Sequence, residues 1–325
     1  MRNYIYKFCF IFLFNLFIVT NAHSNLAYIT NEKDNTVSVV DIKKKKVINT
    51  VNVGQRPRGI IISNDGKLVL ICASDDDRVE VRNAETMKLK YHLPSGPDPE
   101  LMVLSPDDST LYIANEDDAM VTVVDMQDRM IIDDIPVGVE PEGMGLTNDG
   151  KVLVNTSETT NMAHFINTEN LEIFENVLVD QRPRVAMFTP DDKEVWVSAE
   201  IGGTVKVINP KSRDVTHTIS FKIPGVNEES IQPVGVRHTL DGKYTFVALG
   251  PANRIAVVDQ KEKKLIKYLL VGQRVWQMYL TPDEKTLIST NGVSNDISFI
   301  DVEDLKVTKS VKVGRFPWGV AISPK

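Results

Sequence analysis

The chain has 325 residues, 42% hydrophobic and 25% charged, with a formal net charge of −7. The balance is acidic and no basic stripe accompanies it, which argues against nucleic acid as a partner. The two cysteines, Cys9 and Cys72, fall in regions of different character, and no internal disulfide is expected.

Residues 1–22 read as a signal peptide. Arg2 and Lys7 form a basic start, Phe8 to Val19 an apolar run, and Thr20-Asn21-Ala22 a small-residue site with the cut after Ala22. The apolar run is too short to span a bilayer comfortably. No cysteine follows it, so lipid attachment is not expected. Residues 23–325 should then be a single exported, periplasmic domain without a membrane span after cleavage, retaining Cys72 alone.

From Val53 onward a stretch of the form V-G-x-x-P-x-G recurs. Gly54, Gly96, Gly138, Asp180, Ser230, Gly272 and Gly314 mark one column, spaced by 42 residues except for one gap of 50. Further columns keep the same count, as in Asp41, Asn83, Asp125, Asn167, Asn209, Asp259 and Asp301. The odd gap is an insertion around 221–230 (FKIPGVNEES), readable as a longer outer hairpin or as a neutral loop. Repeats of this length signal an array of identical supersecondary units.

Each unit holds short Val-, Ile- and Leu-rich runs separated by turn signals. In residues 59–93, GIIIS precedes NDGK, LVLICAS precedes DDD, and RVEVRN precedes AETMK. These runs suit half-buried strands, and none has the length or period of an amphipathic helix. Four strands per unit is the content of a propeller blade. The expected fold is all-β: a seven-bladed β-propeller with four antiparallel strands per blade. Residues 26–31 (LAYITN) should complete the blade whose inner strand is Gly319–Ser323, removing open sheet edges.

Columns of constant chemistry read as structure. A hydroxyl precedes every turn, from Ser63 and Ser105 to Ser323, and can fix its geometry. Cys72 shares a column with Thr30, Ala114, Thr156, Ser198, Ala248 and Thr290, so it is expected to pack as a small residue rather than act as a nucleophile. Trp196 falls in the strand column of Tyr28 and Tyr112 and reads as core. His238 stands in a column of Ile62, Leu104, Leu146, Phe188, Leu280 and Ile322. It reads as a buried histidine, with haem ligation or general-base work as the sharper alternative. There is no G-x-S-x-G elbow, no C-x-x-C-H haem site and no paired histidines at metal-ligand spacing, so no catalytic residue is expected.

The segments AYITN, LYIAN and VWVSA, with TVSVVD, VTVVD and VKVIN, then VGxxPxG and SPDD or TPDD, resemble the YVTN-repeat β-propellers across the chain after the signal segment. Within that family the sequence is similar to the seven-repeat periplasmic propellers associated with PQQ-dependent catabolism. The resemblance implies a non-catalytic binding or accessory role in a PQQ- or lanthanide-dependent alcohol oxidation system. It implies as partner a quinoprotein dehydrogenase or a transporter component. A lactonase-like metal-dependent hydrolase and a surface or adhesion scaffold are the alternatives.

Columns that change chemistry are where a site can arise. The two variable positions of the V-G loop read Arg56/Arg58, Asp98/Glu100, Glu140/Glu142, Arg182/Arg184, Gln232/Val234, Arg274/Trp276 and Phe316/Trp318. The column after the second strand reads Glu32, Ser74, Glu116, Glu158, Glu200, Gly250 and Gly292. Acids gather on units two to five and arginines and tryptophans on the others. The acidic set, Asp98, Glu100, Glu116, Glu140, Glu142, Glu158 and Glu200, suits Ca²⁺ or a trivalent lanthanide, both hard cations of high coordination number. The basic set, Arg56, Arg58, Arg182, Arg184, Arg274, Trp276, Arg315 and Trp318, suits a planar polyanion such as PQQ, through guanidinium forks and ring stacking. The bland reading of both sets is solvated loop charge, or charge paired across neighbouring loops.

Overall fold

A computed structural model describes residues 26–324; the segment read as a signal peptide, 1–22, lies outside the described residues. Seven four-stranded antiparallel sheets form a seven-bladed propeller. Blade 1 runs from its inner strand Pro57–Ile62 outward through Leu68–Ala73 and Arg78–Asn83 to Leu89–Pro94. Blades 2, 3 and 4 start at Pro99–Leu104, Pro141–Leu146 and Pro183–Phe188, and blades 5 and 6 at Val236–His238 and Val275–Leu280. Blade 7 is assembled from both ends of the described chain. Its inner strand Pro317–Ile322 pairs with Leu26–Asn31, in the register Ala27↔Ile322, Tyr28↔Ala321 and Ile29↔Val320.

Burial is greatest in the middle of each blade. The second and third strands are almost wholly buried, as in Leu26–Asn31 and Thr36–Asp41, whereas the outer strands are largely exposed. Every third-to-fourth strand pairing carries a register shift, for example at Val39/Val40 and Val123/Val124. Such a bulge twists the exposed outer edge and discourages edge-to-edge association. The apolar core lies between blades. Tyr28, Val37 and Val39 of blade 7 pack on Ile60, Val69 and Ile71 of blade 1, and the other blade pairs repeat the pattern.

Two columns explain how the blades lock. The hydroxyl before each turn does what its position suggests: Ser63 Oγ donates to Asp65 at 2.7 Å and accepts from Leu68 N at 3.0 Å. The small-residue column bridges to the next inner strand, where Thr30, Ser198 and Thr290 donate to the carbonyls of Arg58, Val234 and Trp318. Cys72, in the same column, is fully buried against Gly59, consistent with a packing role.

The last residue of the V-G-x-x-P-x-G motif alternates around the ring as Gly59, Leu101, Gly143, Val185, Gly235, Gln277 and Gly319. A Cβ on Gly59 would stand 2.3 Å from the Glu100 carbonyl oxygen, and one on Gly235 would stand 2.6 Å from that of Trp276. Glycine is needed there because adjacent inner strands come that close. Blade 5 departs from the pattern, since the preceding insertion leaves an inner strand of only three residues, Val236–His238. The insertion is neither an outer hairpin nor a loose loop. Phe221, Ile223 and Ile231 are buried in the core around Trp196 and Val236, and the Tyr268 hydroxyl is tied to the Lys222 backbone.

Candidate functional site: a charged ring at one channel mouth

The V-G-x-x-P-x-G loops deliver their variable residues to one end of the central channel. The first variable position takes a left-handed backbone in six of seven units: Arg56, Asp98, Glu140, Arg182, Arg274 and Phe316 have φ between 48° and 57°. This conformation costs a non-glycine residue free energy. In five of the six, a side-chain carbonyl or carboxylate 21 positions earlier supports it; for Glu140 that position is Ala119. Asn35 Oδ1 accepts the Arg56 N–H at 3.0 Å, Asn253 the Arg274 N–H at 2.8 Å and Asn295 the Phe316 N–H at 2.9 Å. The positions Asn35, Asp77, Asn161, Asn253 and Asn295 share one column of the repeat, but only the fold shows their link to the loops.

The acidic and basic halves expected from the sequence are not separate. Arginines and carboxylates interleave into two ion-pair knots. In the first, Arg58 donates to Glu100 at 2.7 Å and to Glu32 at 3.2 Å, while Arg56 bonds Asp75 at 2.6 Å and also Asp98. In the second, Arg184 pairs with Glu142 at 2.9 Å, with Glu158 and with Glu200 at 3.6 Å. Arg182 meets Glu158 at 2.6 Å, and Arg274 donates to Glu200 at 2.6 Å. The cause of the mixing is connectivity. V-G loops of neighbouring blades abut around the ring, so Arg58 meets Glu100 and Arg184 meets Glu142, and Glu32 and Glu158 reach the V-G arginines of the following blade.

Two expected members lie apart. Arg315 is exposed and pairs with Asp34 at 2.5 Å, outside both ion-pair knots. Glu140 is held by the Thr159 hydroxyl and makes no ion pair among the described residues. Glu32 is an addition: its column was plain in the sequence, but its closure of the first knot depends on blade 7 lying beside blade 1. Trp276 and Trp318 are neighbours, with ring centroids 6.4 Å apart. Their faces are already covered by guanidiniums: Arg58 over Trp318 at 4.8 Å, Arg274 over Trp276 at 3.9 Å and Arg184 over Trp276 at 5.7 Å. Trp318 is 1% exposed and offers no open stacking face, while Trp276 is only half-buried.

Between the knots the carboxylates are in excess. Asp98, Glu100 and Glu116 each bring one oxygen within 4.8 Å of the others. Glu116 has no arginine at ion-pair distance among the described residues. Glu100 is fully buried, and its Oε1 lacks a hydrogen-bond partner, Arg56 standing 3.5 Å away. Burial and then neighbouring negative charge push Asp98 up to about 6. Burial raises Glu100 against the opposing pull of Arg58, and burial together with Glu158 and Asp98 raises Glu116. Burial also holds Glu142 well above the carboxylate range. At Glu200 burial acts upward but Arg184 and Arg274 outweigh it, and the net shift is downward. Burial alone would lower Arg58 and Arg184, yet the surrounding glutamates raise both. Oxygens bound at 2.3–2.6 Å to one Ca²⁺-sized ion lie within about 5 Å of each other, so the trio fits such an ion by spacing and donor type.

Fold and site together define a seven-bladed propeller whose channel is capped at one mouth by a ring of mixed charge. No protein-family model and no curated protein matches the sequence. Solved structures do match in fold. Hydrazine synthase of Kuenenia stuttgartiensis aligns with a TM-score of 0.77 at 21% identity, covering 85% of this chain and 92% of that one. A protein of unknown function from Desulfotomaculum acetoxidans aligns with a TM-score of 0.76 at 16% identity, covering 93% and 100%. Dihydro-heme d1 dehydrogenase NirN in complex with DHE aligns at 0.69 and 13% identity, covering 91% of this chain and 75% of that one. At these identities the likeness concerns the fold.

Proposed function

We propose that this chain is an exported, non-catalytic binding protein that holds a hard cation, calcium or a trivalent lanthanide, at Asp98, Glu100 and Glu116. The observation that carries the reading is the convergence of three carboxylates, one with a buried oxygen free of hydrogen bonds, at a place where burial already disfavours their charge. A cation relieves that penalty. It must compete with Arg56 for Asp98 and with Arg58 for Glu100, so binding is coupled to rearrangement of the first knot and of Trp318 beneath Arg58. The N-terminal signal pattern supports a periplasmic location, and the YVTN-repeat resemblance supports service to a PQQ- or lanthanide-dependent alcohol oxidation system. Direct PQQ binding by the arginines is the weaker form, because their forks and both tryptophan faces are engaged within the ring.

Calorimetric titration of the purified protein with La³⁺ and Ca²⁺, with tryptophan fluorescence in parallel, tests this. Binding of either ion should be lost in Asp98→Asn/Glu116→Gln and strengthened in Arg56→Gln, which removes the competing cation. No heat from either ion, or unchanged binding in the double variant, overturns the cation reading. PQQ binding abolished by Arg58→Ala/Arg184→Ala would favour the cofactor form instead. Turnover of a lactone panel would move the protein to the hydrolases.

A further inference from the structure

The channel also holds a second feature, which reaches the opposite end and shares Trp318 with the ring but none of its charged residues. A cavity of about 460 Å³ runs along the inner strands, walled by Leu101, Met102, Met144, Val185, Met187 and Trp318. It ends at Arg237, Leu240 and Tyr279 on the side of the turns that follow the inner strands. The volume and apolar wall are those of a small-molecule site. The polar group at its end is unusual for this molecule. Arg58 and Arg184 are each gripped by two or more carboxylates, but Arg237 has none within ion-pair distance among the described residues. Its Nη1 donates only to the neighbouring Val236 carbonyl at 3.0 Å, its Nε is shielded and has no partner, and its guanidinium lies over the Tyr279 ring at 5.2 Å. Glu284, the acid at this mouth, accepts instead from the Leu240 N–H at 2.8 Å.

The repeat shows that the placement is specific to blades 5 and 6. The Arg237 column reads Ile61, Val103, Gly145, Met187, Arg237, Tyr279 and Ala321, so a charge occurs once among otherwise uncharged residues. The Leu240 column is Asn64, Pro106, Asn148, Pro190, Leu240, Pro282 and Pro324, and Leu240 is left 71% exposed at the mouth. A half-buried guanidinium with a shielded Nε and no counter-ion is costly, and a carboxylate entering along an apolar wall supplies one with bidentate geometry.

We propose that this cavity binds an organic monocarboxylate with an apolar body, alkyl or aromatic, its carboxylate on Arg237 and its body against the methionine-lined wall. Octanoate is the probe, with 1-octanol as its uncharged counterpart, followed by calorimetry and by the fluorescence of Trp318. Octanoate should bind, and octanol should bind at least tenfold more weakly. Arg237→Gln should weaken octanoate by about ten- to a hundredfold, the range for loss of a charge-assisted contact, and leave octanol unchanged. Arg237→Lys should restore part of the affinity. Met187→Trp, which fills the cavity and keeps the charge, should abolish binding of both probes. Thermal melting of each variant establishes that it is folded. Absence of octanoate binding to the folded wild-type protein, equal binding of octanol, or unchanged octanoate affinity in Arg237→Gln overturns the proposal. Because Asp98 and Glu116 do not line this cavity, the cation titration can fail while this one succeeds, and the reverse.

Discussion

Replacing Arg184 by methionine tests whether the ring acts as one electrostatic unit. Arg184 is 3% exposed, and its partners Glu142, Glu158 and Glu200 are 1%, 3% and 4% exposed. Methionine keeps most of the side-chain volume, so the loss is mainly of charge. Removing one partner of a buried pair costs about 3–5 kcal/mol, because the carboxylates left behind stay desolvated. For a domain of this size that is a fall in Tm of about 5–8 °C. The deficit should depend on pH. Glu142 already has a folded pKa above its unfolded value, so the native state holds the extra proton and stability falls as pH rises through the interval between the two. Without Arg184 that interval widens upward, and the variant should lose far more stability than wild type between pH 5 and pH 8. The double variant Arg184→Met/Glu142→Gln should recover a substantial part of the loss at pH 8. Scanning calorimetry across that range is the assay. A fall of less than 2 °C, with the same pH slope as wild type, would mean that the ring charges are solvated individually and would refute the reasoning.

Four further outcomes follow. Wild-type stability should fall as pH rises from about 4 through about 6, the range in which Asp98 has lost its proton in the unfolded chain but still holds it in the folded one, and added La³⁺ should reduce this slope; denaturant titrations at several pH values check it. Gly59→Ala should cost about 1–3 kcal/mol in urea unfolding, because its Cβ would press on the Glu100 carbonyl and force blades 1 and 2 apart. Ile29→Ala, in the strand that closes the ring, should cost about 2–5 kcal/mol, since Ile29 is fully buried between blades 6 and 7. Cys72 should not react with a thiol reagent at pH 8 in the native protein and should react on unfolding, because burial raises its pKa well above the ordinary value; fast native labelling would contradict its packing role.

The architecture was legible in the sequence because a propeller repeats its constraints. The turn hydroxyls, the small-residue column of Thr30 and Cys72 and the alternating strand residues satisfy the same local geometry seven times, so their columns expose them. Closure was legible for the same reason: LAYITN matches second strands elsewhere, and it pairs with Pro317–Ile322. The partition of the site was not legible. Reading down the repeat columns assigned Arg182 and Arg184 to a basic face and Glu142 and Glu158 to an acidic one. The ring brings them into ion pairs because a loop of one blade abuts a loop of the next. Glu140 and Glu142 stand two residues apart in sequence, yet one meets a threonine hydroxyl and the other is buried against Arg184. The insertion also changed meaning once Phe221, Ile223 and Ile231 were seen to fill the core beside Trp196.

By itself the sequence determined the number of blades, the strand pattern, the closing strand and most of the residues at the channel mouth. Only the tertiary structure decided which charges neutralise one another, that Asp98, Glu100 and Glu116 converge, and that Arg237 is left without a counter-ion beside an apolar cavity. The division has a physical cause. Strand propensity and turn chemistry act over a few residues and recur with the repeat, whereas the energy of a charge depends on every group around it, and around a closed ring those groups come from different blades.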